Sequence, residues 1–381
     1  MARKTIMPNI AYDTQRRSFY VTLRGAPGPE GVPRRVVRCY PTLERALQVL
    51  NEHQAQRTLS QGKASKDLTV GQWLCYWLEN VVRPSRSAST THGYTMIIRN
   101  HLVPALGAIR LDQLTTAQVQ DYLNGKQAEG LCSNTVRKHH GVLHNALEHA
   151  RRRELIVRNV AEQASRPSAQ TPVHHYYDSE TMARLFEVLA GTTMEPVVKL
   201  AGYLGLRRSE ICGLRWENVD LEHNLIHICT VRTTAGGSVV QKQPKTAHSI
   251  RKLGIAGLDD LVGLLIRERE RQAACCRMER GWTDSGYVIV REDGKPYDPN
   301  RVTGAFHQFI QEQGLPPITI HGLRHTFASL ANSARIPLLD IGKTLGHKDC
   351  TITGRVYTHI FDQTHQEVLN TVAACIAAKA M

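Results

Sequence analysis

Gly205-Leu-Arg-Arg-Ser-Glu-Ile-Cys-Gly-Leu-Arg-Trp216 sets Arg207 and Glu210 three residues apart, on one face of a short helix. His321-Gly-Leu-Arg324 repeats that spacing with a histidine and an arginine. Taken singly, such pairs are ordinary surface contacts worth a fraction of a kcal/mol. Between them lies Pro244-Lys-Thr-Ala-His248, and after them come Leu345-Gly-His347 and Arg355-Val-Tyr-Thr-His359. Each fragment is weak by itself. Their order and spacing together carry the information.

The surrounding chain reads as a mixed domain from about residue 177 onward. Helices are expected near 179–190 and 194–204, then a strand at Asn224-Leu-Ile-His-Ile-Cys229. Two further strands, around 238–243 and 249–255, flank Lys245 and put it on a tight turn. A long charged helix runs to about 276, and more helices follow near 298–313, 321–334, 337–345 and 350–358. Upstream, residues 68–160 are helical in pattern, with helices near 69–82, 88–103, 116–129 and 133–153 broken by Pro84, Pro104-Ala-Leu-Gly107 and Gly130. Gln163-Ala-Ser-Arg-Pro-Ser-Ala-Gln-Thr-Pro172 lacks apolar periodicity and reads as a linker.

The charge is uneven. Of a net +14, the first 63 residues hold 11 Lys/Arg against 4 acidic residues, half the excess in a sixth of the length. So basic a balance favours a polyanionic partner. Ser18–Arg24 and Val32–Tyr40 look like strands around a Gly/Pro-rich turn, and Thr42 suits the N-cap of a helix burying Leu43, Ala46, Leu47 and Leu50. A sheet carrying Arg16, Arg17, Arg24, Arg34, Arg35 and Arg38 could enter a DNA groove. Arg137 and Lys138 are the corresponding candidates on the last helix of the helical block, where cations also suit the helix dipole.

Other classes fall away. No stretch approaches 18 apolar residues, and Met1-Ala-Arg-Lys4 leads into no signal-peptide core, so no membrane partner is expected. Nine scattered cysteines form no C-x-x-C pair and read as reduced, mostly buried thiols of a cytoplasmic protein. His321 and His325 have the spacing of a zinc-protease helix, but Gly322 stands where the glutamate must be. Gly342-Lys-Thr344 imitates the end of a P-loop, yet Pro337 replaces its first glycine. Neither metal nor nucleotide cofactor is expected.

The set Arg207, Glu210, Lys245, His321-x-x-Arg324, Leu-Gly-His347 and Tyr357-x-His359 resembles the active-site signature of the tyrosine recombinases, or phage integrases. The helical block is similar to their core-binding domain, and the first 63 residues resemble an arm-binding domain. The implied fold class is multidomain α+β. It comprises an arm-type DNA-binding domain of one small sheet and a helix (1–63), an all-α core-binding domain (66–165), and a mixed, mainly-α catalytic domain with a small antiparallel sheet and a C-terminal tail helix (175–381).

The resemblance also implies roles. Attack on a phosphodiester builds charge on the non-bridging oxygens, and two guanidinium forks answer it bidentately without a metal. Arg207 and Arg324 are assigned that clamp, and Tyr357 is the nucleophile, whose phosphotyrosyl ester conserves the bond energy. Lys245, favoured over Lys242 by its Pro-Lys-Thr context, protonates the departing 5′ oxygen. His321 acts as base or hydrogen-bond partner, His347 as transition-state donor, and Glu210 orients its neighbours. His325 and His359 are expected in structural hydrogen bonds, Arg208 as a solvated or DNA-backbone cation.

The implied partners are double-stranded DNA at core and arm sites and three further copies of the chain in a tetramer. A directionality factor and a host DNA-bending protein also belong to that picture, and the protein would be nucleoid-associated when bound. Val368, Leu369, Val372 and Ile376 form an apolar stripe that docks either on a neighbour or back on its own domain. Two departures stand out: Gly322 replaces a frequent aspartate, and ten residues separate His347 from Tyr357 where better-known members have nine. A type IB topoisomerase shares the tyrosine chemistry but lacks reason for the basic N-terminal block. A non-catalytic DNA-binding relative would show losses among the catalytic positions, and none is missing.

Overall fold

Along Ser18–Pro27, Val21 and Leu23 alternate with Tyr20 and Thr22, and that period of two decides which side of the strand is covered. The computed structural model describes residues 3–27, 33–60, 68–170, 175–244, 247–278 and 281–347. Strands β1 (Arg3–Met7), β2 (Ile10–Asp13), β3 (Ser18–Pro27) and β4 (Pro33–Tyr40) form an antiparallel sheet in sequential order. The first two strands went unread in the sequence because each spans only four or five residues. Helix α1 (Leu43–Ser60) covers one face, with Ala46 and Leu50 against Ile10, Val21 and Leu23. Arg35 is exposed on the open face, whereas Arg38 pairs with buried Val21 and so stands on the helix side of the edge strand.

This small domain leans on a helical one. Gln48 of α1 accepts from Arg99 and donates to Glu79 at 2.9 Å, while Arg99 also bonds Glu44 at 2.8 Å. The helical part holds α2 (Val70–Trp77), α3 (Arg83–Ser85), α4 (Ala88–Ile97), α5 (Val103–Leu106), α6 (Thr116–Ala128) and α7 (Ser133–Arg152). Thr69 with Gln72, and Thr115 with Gln118, close reciprocal capping boxes that start α2 and α6. The prolines do not break the helices as the sequence suggested. A π turn, at Leu78–Val82 before Pro84 and at Ile98–Leu102 before Pro104, absorbs the missing N–H and lets each helix run on for several residues. Trp73 anchors the core, its indole donating to the Ala146 carbonyl at 2.8 Å.

The chain divides into two compact units, Met1–Pro172 and Val173–Met381. Much of the expected linker is strapped to the first unit: Gln170 exchanges bonds with Asn134, Ser165 donates to Gln120, and Arg137 donates to the Pro167 carbonyl at 2.7 Å.

The second unit contains α8 (Ser179–Leu189), α9 (Glu195–Leu204), α10 (Arg208–Ile211), α11 (Asp259–Met278), α12 (Pro299–Glu312), α13 (Ile320–Ser333) and α14 (Leu338–Leu345). Its strands are β5 (Val219–Asp220), β6 (Leu225–Ile228), β7 (Val231–Ala235), β8 (Ser238–Lys242) and β9 (Arg251–Gly254). Among the described residues these strands form small antiparallel sheets: β9 pairs with β6 beside β5, while β8 pairs with β7 in a separate hairpin. Thus the chain from Lys242 to Arg251 links one sheet to the other. Helices α9 and α13 pack together at the centre, with Val198, Leu200, Ala201 and Leu323 fully buried. Among the seven described cysteines only Cys212 is buried, contrary to the expectation of mostly buried thiols; Cys39 lies on the open sheet face and Cys132 caps α7.

Candidate active site

Two left-handed glycines bring the site's segments together. Gly205, at φ +60°, ends α9 and turns the chain into Leu206-Arg207. A Cβ there would lie 2.5 Å from Leu345, so α14 can approach only a glycine. Gly346, at φ +68°, ends α14 and turns His347 back toward the same place. The carbonyls of Gly205, Leu345 and Gly346 then sit where two arginines collect them.

Arg324, from the second turn of α13, is 2% exposed. It donates to the Gly205 carbonyl at 2.7 Å and to the Leu345 carbonyl at 2.8 Å. Its Nη2 also lies 2.8 Å from His347 Nε2. A guanidinium has no acceptor, so Nε2 accepts and the proton of a neutral His347 resides on Nδ1. Burial, then the charges of Arg324, Arg207 and Arg251, push the His347 pKa down to about 4. His347 is therefore neutral at physiological pH.

Arg207 is the outward-facing partner, with its side chain 31% exposed. Its backbone N–H donates to Glu210 Oε2 at 2.9 Å and its Nη1 to Glu210 Oε1 at 2.7 Å. A longer contact of 3.4 Å reaches the Gly346 carbonyl. Glu210 is 1% exposed. Burial pushes its carboxyl upward, but Arg251 and then Arg207 more than offset that and hold it below the ordinary range. His321 is exposed at the start of α13, edge-on to buried His325 at 4.8 Å, beside a cavity of about 360 Å³ also lined by His175 and His307. The fold thus gathers Arg207, Glu210, Arg324 and His347, with His321 flanking them. Lys245, Tyr357, His359 and the apolar stripe at 368–376 lie outside the described residues.

These positions fall in regions that match known protein families. Residues 177–364 match the phage integrase family, and residues 69–127 match the N-terminal SAM-like domain of phage integrases. The chain belongs to the phage integrase family. It is a tyrosine-type site-specific recombinase. The XerC-like tyrosine recombinase of Caldanaerobacter subterraneus subsp. tengcongensis is 25% identical over 328 residues, covering 81% of this chain and 83% of that protein. An integrase of Streptomyces ambofaciens is 27% identical, over 81% of this chain and 80% of its own length. In fold, the chain resembles the Tn1549 transposon integrase in complex with a circular intermediate DNA, with a TM-score of 0.69 at 19% identity, covering 80% of this chain and all of that one. A lambda integrase tetramer bound to a Holliday junction matches with a TM-score of 0.57 at 17% identity, over 91% of this chain and 98% of that one.

Within this recombinase the remaining candidates are variously placed. Arg16 and Arg17 are exposed in the turn between β2 and β3, and Arg35 and Arg38 are exposed on β4. The Arg24 backbone belongs to β3 and that of Arg34 to β4, and their side chains lie outside the described residues. Lys138 is exposed, whereas Arg137 is half-buried and bonded to the strapped linker. Arg208, expected as a solvated cation, is half-buried and donates to Thr303 at 2.6 Å. No helix among the described residues is long and apolar enough to cross a membrane.

Sequence reasoning missed Arg251. This residue is 8% exposed by its side chain and reaches Glu210 through both terminal nitrogens, at 3.1 and 3.2 Å. A signal was present: Arg251 and Leu253 alternate on β9, and Leu253 is buried, so the arginine also faces inward. An inward arginine demands a buried carboxylate or carbonyl.

Proposed function

We propose that this recombinase integrates or excises a mobile element by cutting two double-stranded core sites as a tetramer and exchanging strands pairwise through a Holliday junction. In this reading Tyr357 Oη attacks the scissile phosphorus, the P–O5′ bond breaks, and a 3′-phosphotyrosyl ester forms. Lys245 delivers a proton to the departing 5′ oxygen. An incoming 5′-hydroxyl then attacks the ester and releases the tyrosine. The bond count is conserved, so no nucleotide is consumed. Arg207 and Arg324 compensate the phosphorane charge, and the Nδ1–H tautomer of His347 supplies a neutral donor. His321 serves as base or hydrogen-bond partner to the nucleophile.

The observation that carries this reading is the Arg207–Glu210 and Arg324–His347 pairing around the Gly205 and Gly346 turns. The open face of the N-terminal sheet, which carries exposed Arg35, is assigned to arm-site DNA. A directionality factor and a host DNA-bending protein would act on that layout.

The test uses DNA from the boundaries flanking the protein's own gene, incubated with the full chain in chelator and without ATP. A protein–DNA adduct should resist denaturant and vanish in Tyr357→Phe. An adduct that persists in that variant, or cleavage that requires magnesium, overturns the reading. Removing residues 1–63 should abolish recombination while sparing core cleavage; loss of both would count against separate arm binding.

A further inference from the structure

We propose that Arg251 is a positioning residue for strand cleavage: it balances the charge of Glu210, so that this carboxylate can orient Arg207 without cancelling the positive charge Arg207 presents to the phosphate. The proposal rests on the assignment of Arg207 to the scissile phosphate.

Glu210 grips Arg207 twice, through the backbone N–H and through Nη1. That grip fixes the guanidinium, and it also creates a problem. A carboxylate 2.7 Å from an arginine in a buried setting forms a neutral pair, and a neutral pair attracts a phosphate poorly. Arg251 resolves it from the other side. Its Nη1 and Nη2 meet the two oxygens of Glu210 at 3.2 and 3.1 Å, so one carboxylate is shared by two guanidinium groups and the triad carries a net positive charge. Glu210 is 1% exposed and the Arg251 side chain 8%, so water and salt do little to screen this balance. Arg207, at 31%, is the member that faces outward.

Arg251 also touches the turn that carries His347. Its Nε donates to the Thr344 carbonyl at 2.7 Å. Its Nη1 lies 3.0 Å from where a Cβ at Gly346 would stand. One side chain from β9 therefore braces both halves of the site, the Arg207 loop and the His347 turn. Of the two arginines on Glu210, Arg251 does more to keep that carboxyl ionised.

The experiment measures single-turnover adduct formation by the full chain on a nicked duplex spanning one boundary of the element. Binding to the same duplex is measured by mobility shift, and each variant's thermal midpoint is recorded. Arg251→Met should slow cleavage at saturating protein by about 100-fold, the scale for losing one transition-state donor, with binding little changed. Glu210→Gln added to Arg251→Met should recover about tenfold, because the amide oxygen still accepts one of the two Arg207 bonds and the neutral group no longer cancels its charge. Arg251→Lys should fall between wild type and Arg251→Met. A role confined to packing predicts additive losses in the double variant.

If Arg251→Met does not fold, Arg251→Lys with and without Glu210→Gln carries the same comparison. Wild-type cleavage by Arg251→Met, or a double variant no faster than the single one, overturns the proposal. Failure of the wild-type chain to form any adduct overturns the recombinase assignment of the site, and this proposal with it.

Discussion

The helical domain and the catalytic domain each bury a polar network, and they use it differently. In the helical domain Tyr122 and His139 are hydrogen-bonded at 2.9 Å, the His101 ring packs tilted against His139 at 4.6 Å, and His140 Nε2 donates to the Ala161 carbonyl at 2.7 Å. That network holds no carboxylate and no arginine, and burial pushes the His139 pKa down to about 4, so it sits neutral inside α6 and α7. In the catalytic domain the buried groups are ionic: Arg324, Glu210 and Arg251, with Arg207 at the edge. A neutral closed network stabilises a fold and offers a ligand nothing. A network with excess positive charge and one member turned outward is prepared for an anion.

Arg324→Ala should break this contrast most severely. It removes both the charge and the bonds to Gly205 and Leu345, so adduct formation should fall by at least about 1,000-fold and stability by roughly 3 kcal/mol. Calorimetry alongside the cleavage assay checks both losses. Arg207→Ala should separate them. It should cost about 100- to 1,000-fold in cleavage rate but under about 1 kcal/mol in stability, because the side chain is partly exposed. A large drop in melting temperature for this variant would show that Arg207 is a strut.

The pH response sharpens the comparison from the other side. The folded-state pKa of His139 lies below the ordinary histidine value, so the folded chain binds fewer protons than the unfolded one between about pH 6.5 and pH 4. Stability is intact above that window and declines as pH falls through it, by at most about 3 kcal/mol from this 1%-exposed residue. His139→Asn should flatten the decline in denaturant titrations across that range; an unchanged slope would assign the acid sensitivity elsewhere. The smallest effect expected is that of Tyr122→Phe, which removes one neutral hydrogen bond. About 1 kcal/mol of stability should go, with cleavage by the variant at the wild-type rate.

What the sequence alone determined is local. Among the described residues, apolar spacing and capping residues placed the helices to within a few residues, because such signals act over one or two turns. The order of the Arg, Lys, His-x-x-Arg, His and Tyr motifs by itself indicates the recombinase family. Tertiary structure alone decided everything that joins distant segments. The pairing of β9 with β6 is specified by no local turn, whereas β8 folds back on β7 through the left-handed Gly236-Gly237 pair. Helices that continue past Pro84 and Pro104 depend on π turns held by surrounding packing. The pairing of Arg251 with Glu210 spans 41 residues, and that of Arg207 with Gly346 spans 139. The tautomer of His347 is set by an arginine from another helix. Sequence names the groups that can bear charge. Only the fold decides which of those charges are balanced and which is left facing outward.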